Sequence, residues 1–201
     1  MRDYYKEYDD RDRWISYWQQ IESVLSVSPK NVLEIGIGNH TVTNYLRQQG
    51  IEVKTLDVLE DLKPDFVASV VKMPLPDKSF DVILAAEILE HLPFEDFNQA
   101  LVEINRVSKK HAVISLPHWG WAFYFSFKIP LLKKKQALFK LSGILKHKFN
   151  GEHYWEIGKR GFSLSRIKKI MVENGFKILK DFITPDSPYH HFFILEKINV
   201  K

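Results

Sequence analysis

The sequence predicts an α/β domain whose mostly parallel sheet is covered by helices on both faces. Short runs rich in branched apolar side chains alternate with longer segments that have helical periodicity. The connections between them are short, which is typical of parallel strand–helix units. A length of 201 residues suits one such unit. We therefore interpret residues 1–201 as a single domain.

The composition excludes several classes of protein. The chain has no cysteine, so disulfides and thiolate metal sites are excluded and a reducing compartment is expected. No uninterrupted apolar run reaches the ~18 residues that a membrane helix needs. The N-terminus is acidic where a signal peptide would be basic and then apolar. These features predict a cytoplasmic protein.

The strongest local pattern is a strand, a glycine turn and a helix start. Val32–Ile35 is an apolar run that ends at Gly36-Ile37-Gly38, and residues 41–49 follow with helical spacing. Glycines let backbone N–H groups come close to a ligand, and a helix start favours a carboxylate or phosphate. Asp57 ends the next strand, where an acidic side chain can accept from both hydroxyls of a ribose. The stretch predicts a site for a nucleoside cofactor.

The other predicted elements follow the same alternation, with one long interruption. They are a helix at 11–26, a strand at 51–56, strands at 65–71, 82–84 and 111–117, a helix at 94–107, an interruption at 118–160, a helix from Ser163 to 174, and paired strands at 176–180 and 191–196.

Three stretches carry a resemblance to a known family. The first is Glu34–Gly38 with Asp57 downstream. The second is residues 73–84, which closely resemble the pattern LPFPDxSFDxV with Met73 in place of its first leucine. The third is residues 87–93, which resemble xExLEHLxx. With these motifs the chain resembles the class I S-adenosylmethionine (SAM) methyltransferases of type 11. The family's third motif glycine falls at His40 in this sequence.

The resemblance implies a Rossmann-like sheet of seven strands, mostly parallel with an antiparallel last strand. It also implies SAM as cofactor and a leading helix, within residues 1–28, that caps the cofactor cleft. In this interpretation the glycine turn holds the methionine end, Asp57 the ribose, Ser69 and Val70 the adenine, and the carbonyl of Ala85 lines the floor. The full set of implied cofactor residues is Glu34, Gly36, Ile37, Gly38, Asn39, Asp57, Val58, Ser69, Val70 and Ala85.

Candidate catalytic residues are His91, as a general base, and His118, which follows the fifth strand close to the expected position of the transferred methyl group. We predict a reaction without a metal ion. The alternative is that Glu87, Glu90 and His91, at positions i, i+3 and i+4 of a helix, converge on a divalent cation. A Glu-x-x-Glu-His motif of this kind resembles that of metal-assisted O-methyltransferases.

The interruption at 118–160 follows the fifth strand, at the edge where open α/β sheets bind ligands. It is aromatic first and basic second, so we predict a mobile lid over the acceptor at 118–148. The competing interpretation is that its aromatic residues are ordinary core beneath the last helix. Trp119, His153 and Trp155 are the candidate acceptor-binding residues.

The charge of the chain is divided unevenly. Residues 1–105 carry 10 Lys/Arg and 19 Asp/Glu, a net −9, whereas residues 106–201 carry 19 and 6, a net +13. Much of the positive charge lies in 128–148. The segment is either a solvated surface or a contact with an anionic acceptor, a membrane surface or RNA.

The leading hypothesis is methyl transfer from SAM to oxygen or nitrogen of a small or lipid-like metabolite. An RNA methyltransferase, a metal-assisted O-methyltransferase and a non-catalytic scaffold with the same fold are the alternatives. No RNA-binding module is evident, and Ala85-Ala86-Glu87 stands where base-methylating enzymes carry Asn-Pro-Pro-Tyr. The sequence indicates no obligate protein partner.

Overall fold

The structure is a computed structural model that describes residues 9–128, 130, 135–143 and 145–198. Its strands are β1 (Asn31–Ile35), β2 (Glu52–Asp57), β3 (Phe66–Val67), β4 (Phe80–Ala86), β5 (Ser108–Pro117), β6 (Trp121–Phe127), β7 (Lys135–Leu141), β8 (Phe176–Thr184) and β9 (Ser187–Lys197). Its α-helices are α1 (Arg11–Leu25), α2 (Thr41–Gln48), α3 (Phe97–Val107) and α4 (Leu164–Glu173). Short 3₁₀ turns lie at Glu60–Leu62, Leu89–His91 and Phe94–Asp96. No helix in the described ranges is long and apolar enough to cross a membrane.

Seven of the strands form one mixed sheet in the order β3-β2-β1-β4-β5-β9-β8. Strands β1 to β5 pair in parallel, and β9 pairs antiparallel with both β5 and β8. Six strands therefore share one direction and β9 opposes them. The predicted fold class is confirmed.

The two faces of the sheet carry separate apolar cores because alternate residues of a strand point to opposite faces. Val82 and Leu84 of β4 pack with α1 and α2, whereas Ile83 packs with α3 and α4. Two of these helices begin with a side-chain cap. Asp10 caps α1 by accepting from the Arg13 amide at 2.8 Å, and Ser163 caps α4. The layering leaves the carboxyl ends of the parallel strands open.

The predicted third strand at 65–71 is wrong in length. Only Phe66 and Val67 pair with β2, and the chain then turns at Ser69, whose Oγ accepts from the Val71 amide at 3.4 Å. A serine that bonds its own following backbone competes with a strand ladder. The apolar residues after it are used in the wall of a cavity rather than in the sheet.

The interruption at 118–160 contains an antiparallel hairpin of β6 and β7, which forms a sheet of its own. Its aromatic residues are exposed, Phe127 to 67% and Trp121 to 59%, so the interpretation of them as core is wrong. Among the described residues, the backbones of the two hairpin strands hydrogen-bond only to each other. The end of the interruption does join the core, because the amide of Ile157 donates to the carbonyl of Pro117 at 3.0 Å.

Candidate active site

A cavity of about 460 Å³ opens where β1, β2 and β4 end. In an open α/β sheet this edge is where ligands bind. Nine of the ten predicted cofactor residues line it: Glu34, Gly36, Ile37, Gly38, Asn39, Asp57, Val58, Ser69 and Val70. Ala85 does not, because it is fully buried in register with Ile35 inside the sheet, and Ala86 lines the wall in its place.

The glycine turn is shaped by a close neighbour as well as by the cavity. Gly36 has φ 77°, and a Cβ added there would lie 1.8 Å from Cδ1 of Ile88. A Cβ at Gly38, with φ 48°, would meet no heavy atom within 4 Å. Because Gly36 has no side chain, Ile88, which follows β4, can pack against the turn. Gly38 leaves open space beside the cavity.

Asp57 holds the turn from the end of β2. Its Oδ2 accepts from the Ile37 amide at 3.1 Å and its Oδ1 from the Leu59 amide at 2.9 Å. Each carboxylate oxygen has two lone pairs, so both retain capacity for a further donor. The residue is 9% exposed and lines the cavity. It can therefore brace the turn and accept from a diol together.

Glu34 lies beneath the turn in a buried position, where its carboxylate accepts from Oγ1 of Thr43 in α2. Burial raises the pKa of Glu34 to about 7, against the opposing effect of that hydrogen bond. The side chain joins β1 to α2 and presents its remaining polar surface to the cavity.

The predicted helical face of Glu87, Glu90 and His91 does not form. Glu87 has φ 54°, so the chain turns between it and the 3₁₀ turn Leu89–His91, and the i, i+3, i+4 geometry is lost. Its carboxylate accepts from Oγ of Ser115 at 2.8 Å and lies 3.8 Å from Nε2 of His190. Burial raises the pKa of Glu87 to about 7. A non-glycine residue in this backbone region is typical of functional sites.

Glu90 and His91 meet His153 instead. One potential ligand atom from each of the three lies within 4.8 Å of the others. Glu90 is fully buried, and neither carboxylate oxygen accepts a hydrogen bond from a described residue; Nε2 of His153 is 4.0 Å away. Burial and the neighbouring Glu87 raise the pKa of Glu90 well above its usual value.

Both histidines of this cluster are oriented through their Nδ1 atoms. Nδ1 of His91 lies 3.0 Å from the carbonyl oxygen of Glu152, and Nδ1 of His153 lies 3.2 Å from Oε1 of Glu156. Oxygen acceptors at Nδ1 place the proton there and leave the Nε2 lone pair available. The cluster can therefore offer two imidazole nitrogens and one carboxylate to a ligand.

His118 lies outside the cavity. Its Nδ1 is 3.0 Å from Nδ1 of His191, and Nε2 of His191 is 3.3 Å from Oδ1 of Asp181, so the three form a buried chain. Burial lowers the pKa of His118 to about 3. A neutral imidazole held in the sheet in this way suits a structural role more than the predicted catalytic one.

Two of the predicted acceptor residues also have other roles. Trp155 has no exposed surface; it packs on Phe94 and Phe97 and donates from Nε1 to the carbonyl of Leu92 at 3.2 Å, so it is a core residue. Trp119 is half-buried beneath Nζ of Lys159, 4.2 Å from the ring centre, and does not line the cavity. Trp155 lies in the segment that returns to the end of β5, where Ile157 forms a bridge with His118.

Arg13, Tyr17 and Gln20 of α1 line the cavity, and none of the three was predicted as a site residue. Their spacing of four and three residues places them on one face of the helix, which is a readable signal. The same helix also carries an apolar stripe, which packs against the sheet. The predicted capping role of the leading helix is consistent with this placement, while residues 1–8 lie outside the described ranges.

Comparisons with known proteins add to the evidence from the geometry of the site. Residues 33–116 match the model of a family described as a methyltransferase domain. No curated protein sequence matches the chain significantly. Solved structures do. A SAM-dependent methyltransferase from Clostridium acetobutylicum has a TM-score of 0.67 at 10% identity, over 98% of this chain and 99% of that one. The 1,6-didemethyltoxoflavin-N1-methyltransferase of Burkholderia thailandensis has 0.63 at 15%, over 98% and 82%. The magnesium protoporphyrin IX methyltransferase of Synechocystis has 0.61 at 14%, over 93% and 82%.

At these identities the solved structures show a shared fold. That fold, the cavity at its strand ends and the family model matched over residues 33–116 support a class I SAM-dependent methyltransferase. Its cofactor is SAM, and its reaction class is SAM-dependent methyl transfer. The open space at Gly38 and the free lone pairs of Asp57 fit such a nucleoside cofactor.

Proposed function

We propose that the protein transfers the methyl group of SAM to an oxygen or nitrogen of a small or lipid-like acceptor. The observation that supports this is the continuity of one cavity, which joins the glycine turn and Asp57 to a second wall at Glu87 and His91. The first wall suits the cofactor and the second offers groups that can orient an acceptor or take its proton.

Bound SAM supplies an electrophilic methyl group on a sulfonium sulfur. The backbone of Gly36–Gly38 and the Asp57 carboxylate position the cofactor, while Arg13 and Tyr17 of α1 cover it. His91 is the proposed proton acceptor, because its Nδ1 faces the Glu152 carbonyl and Nε2 remains available. Partial withdrawal from water and the neighbouring His153 lower the pKa of His91, which keeps the ring neutral near pH 7.

The test is mass spectrometry of methylated products after incubation of the purified protein with isotopically labelled SAM and a metabolite extract. A labelled small or lipid-like product is expected, and its yield at limiting SAM should be lower with Asp57→Ala. A protein that binds SAM but labels only RNA would favour the RNA methyltransferase. A protein that does not bind SAM in calorimetry would favour the scaffold.

The orphaned carboxylate of Glu90 favours a second candidate, the metal-assisted O-methyltransferase. We propose that Glu90, His91 and His153 hold the cation, with His153 replacing the Glu87 of the sequence prediction. A buried carboxylate without a hydrogen-bond partner is costly, and a cation would compensate it. Two imidazoles and one carboxylate suit Mn²⁺, Fe²⁺ or Zn²⁺ better than Mg²⁺. A cation there could bind and acidify an acceptor hydroxyl.

Metal content and calorimetric titration with Mn²⁺ or Zn²⁺ separate the two candidates. Glu90→Gln should lower metal affinity by about tenfold or more while SAM affinity is unchanged. Glu95→Gln, at an exposed site four residues beyond His91, is the matched control. If the purified protein binds no cation and keeps its activity in EDTA, the reaction proceeds without metal, as the sequence analysis predicted.

A further inference from the structure

The β6–β7 hairpin carries an apolar face that no described residue covers. Alternate residues of a strand share a face, and the register pairs Phe123 with Phe139 and Trp121 with Leu141. Six large apolar side chains therefore lie together, each between 48% and 67% exposed: Trp121, Phe123, Phe125, Phe127, Phe139 and Leu141. We call this set the hairpin face. A contiguous exposed apolar patch of this kind is typically a binding surface.

The surroundings of the hairpin face are strongly cationic. Residues 121–151, the hairpin and the segment that follows it, contain seven lysines and no Asp or Glu. Lys128 follows β6 directly, and Lys135 pairs with Phe127 at the far end of the hairpin; both are exposed. The cations lie at the margin of the apolar face, so the two kinds of surface can act on one partner.

We propose that the hairpin face docks on the surface of an anionic lipid bilayer. Apolar side chains enter the boundary between headgroups and acyl chains, and lysines at the margin meet the lipid phosphates. Trp121 stands at the base of the hairpin and Phe127 at its far end, beside Lys128 and Lys135, so apolar and cationic side chains are adjacent at that end. The inference goes beyond methyl transfer and does not depend on it.

Two other occupants fit the observations less well. A second copy of the chain would bring like charges together, since the margins of the face are cationic and carry no compensating acid between residues 104 and 151. Single-stranded RNA is bound by aromatic platforms with cations between the bases, and arginine is preferred there. Here residues 107–159 contain no arginine, and the interior of the hairpin face is wholly apolar.

The hairpin is held in place as a preformed platform. The amide of Trp119 donates to the carbonyl of Ile157 at 2.8 Å, and the amide of Arg160 donates to that of Leu145 at 2.8 Å. Nζ of Lys140 donates to the carbonyl oxygens of His118 and Pro188. This lysine therefore binds the hairpin to the start of β9 and does not face the partner. A surface that is already ordered loses less conformational freedom on binding.

Vesicle co-sedimentation of the full chain tests the proposal. The protein should sediment with phosphatidylcholine vesicles that contain phosphatidylserine, remain free with phosphatidylcholine alone, and dissociate as salt is raised. Phe123→Ser with Phe125→Ser should lower partitioning by about tenfold. Phe149→Ser with Leu179→Ser is the matched control, because these residues are 56% and 44% exposed outside the hairpin face and should change nothing.

A charge variant covers the possibility that the serine variant does not fold. Lys135→Glu should also weaken binding by about tenfold, whereas Lys169→Glu on α4 should not. SAM calorimetry reports on folding in every variant. Absence of sedimentation with anionic vesicles overturns the proposal. So does RNA binding that Lys135→Glu abolishes without any vesicle binding, or a dimer in sedimentation velocity that the serine variant dissociates.

Discussion

His40 occupies a backbone conformation that usually favours glycine. Its φ is 64°, and its Nε2 lies 3.0 Å from the carbonyl oxygen of Leu62. The ring therefore links the glycine turn to the 3₁₀ turn on the opposite wall of the cavity. The third motif glycine expected from the resemblance falls at this residue, and glycine adopts a positive φ more readily than histidine does. Positive φ at a histidine has no signal in a single sequence.

At the residue scale, Asp57→Ala should weaken SAM binding by about tenfold or more, because charge-assisted hydrogen bonds contribute ~1.5–3 kcal/mol each. The structure adds a second effect, since the Ile37 and Leu59 amides also lose their acceptor. Asp57→Asn keeps one acceptor oxygen and should bind with intermediate affinity. Calorimetry measures both variants, and unchanged affinity in a folded Asp57→Ala protein would remove Asp57 from the cofactor site.

Gly36→Val should destabilise the protein by about 2 kcal/mol or more, since a positive φ is strained for valine and its Cβ meets Ile88 at 1.8 Å. The contact is with the protein itself and does not require a bound ligand. Gly38→Ala is the matched control and should cost about 1 kcal/mol from backbone strain alone. Urea denaturation gives both values, and Ile88→Ala should restore part of the loss at Gly36. Equal losses at the two glycines would argue against the Ile88 contact.

At the element scale, the alternation of apolar runs and helical spacing predicted the sheet and its helices well. Strand β4 is an example: Val82–Leu84 is apolar on both faces, as a central parallel strand requires, and the structure extends it to Phe80–Ala86. The segment after it was less predictable. Spacing implied one helical face for Glu87, Glu90 and His91, but φ 54° at Glu87 breaks it.

The candidate site was predictable where it follows strand ends and not where distant segments meet. Gly36–Gly38 and Asp57 lie directly after β1 or at the end of β2, so topology alone brings them together. The meeting of His153 with Glu90 joins residues 63 positions apart, through the amide of Tyr154 donating to the carbonyl of Glu90 at 2.9 Å. Such long-range pairing depends on how the interruption folds back, which periodicity does not encode.

The hairpin also yields a prediction about exchange of its backbone amides. Its strands pair only with each other and one of its faces is exposed, so the amides of β6 should exchange faster than those of β5 in the free protein. If residues 118–148 act as the predicted lid, exchange at β6 slows when SAM and acceptor bind. Hydrogen exchange with mass spectrometry measures this, and an unchanged rate on binding would rule out the lid.

At the scale of the whole molecule, buried histidines and buried glutamates change the stability of the fold in opposite directions as the pH changes. Burial lowers the pKa of His118 to about 3 and those of His190 and His191 to about 4, so these rings are neutral in the fold. Their contribution to stability is present above pH 6.5 and is lost as the pH falls toward those values. Glu34 and Glu87, whose pKa values are raised to about 7, favour the fold when protonated. The overall profile is a balance, so a single group must be isolated by substitution.

Glu34→Gln isolates one side of that balance. Because the pKa of Glu34 rises from 4.5 to about 7 in the fold, its contribution is fully present below pH 4.5 and is lost as the pH rises through 7. Across that window the wild type should lose about 3 kcal/mol of unfolding free energy relative to Glu34→Gln, at 1.36 kcal/mol per pKa unit. The glutamine can still accept from Thr43, so the packing of α2 is retained. Urea denaturation of the SAM-free protein at several pH values gives the difference, with Glu95→Gln as the exposed control. Parallel profiles for wild type and Glu34→Gln would show that Glu34 stays ionised in the fold and that its environment is more polar than its burial indicates.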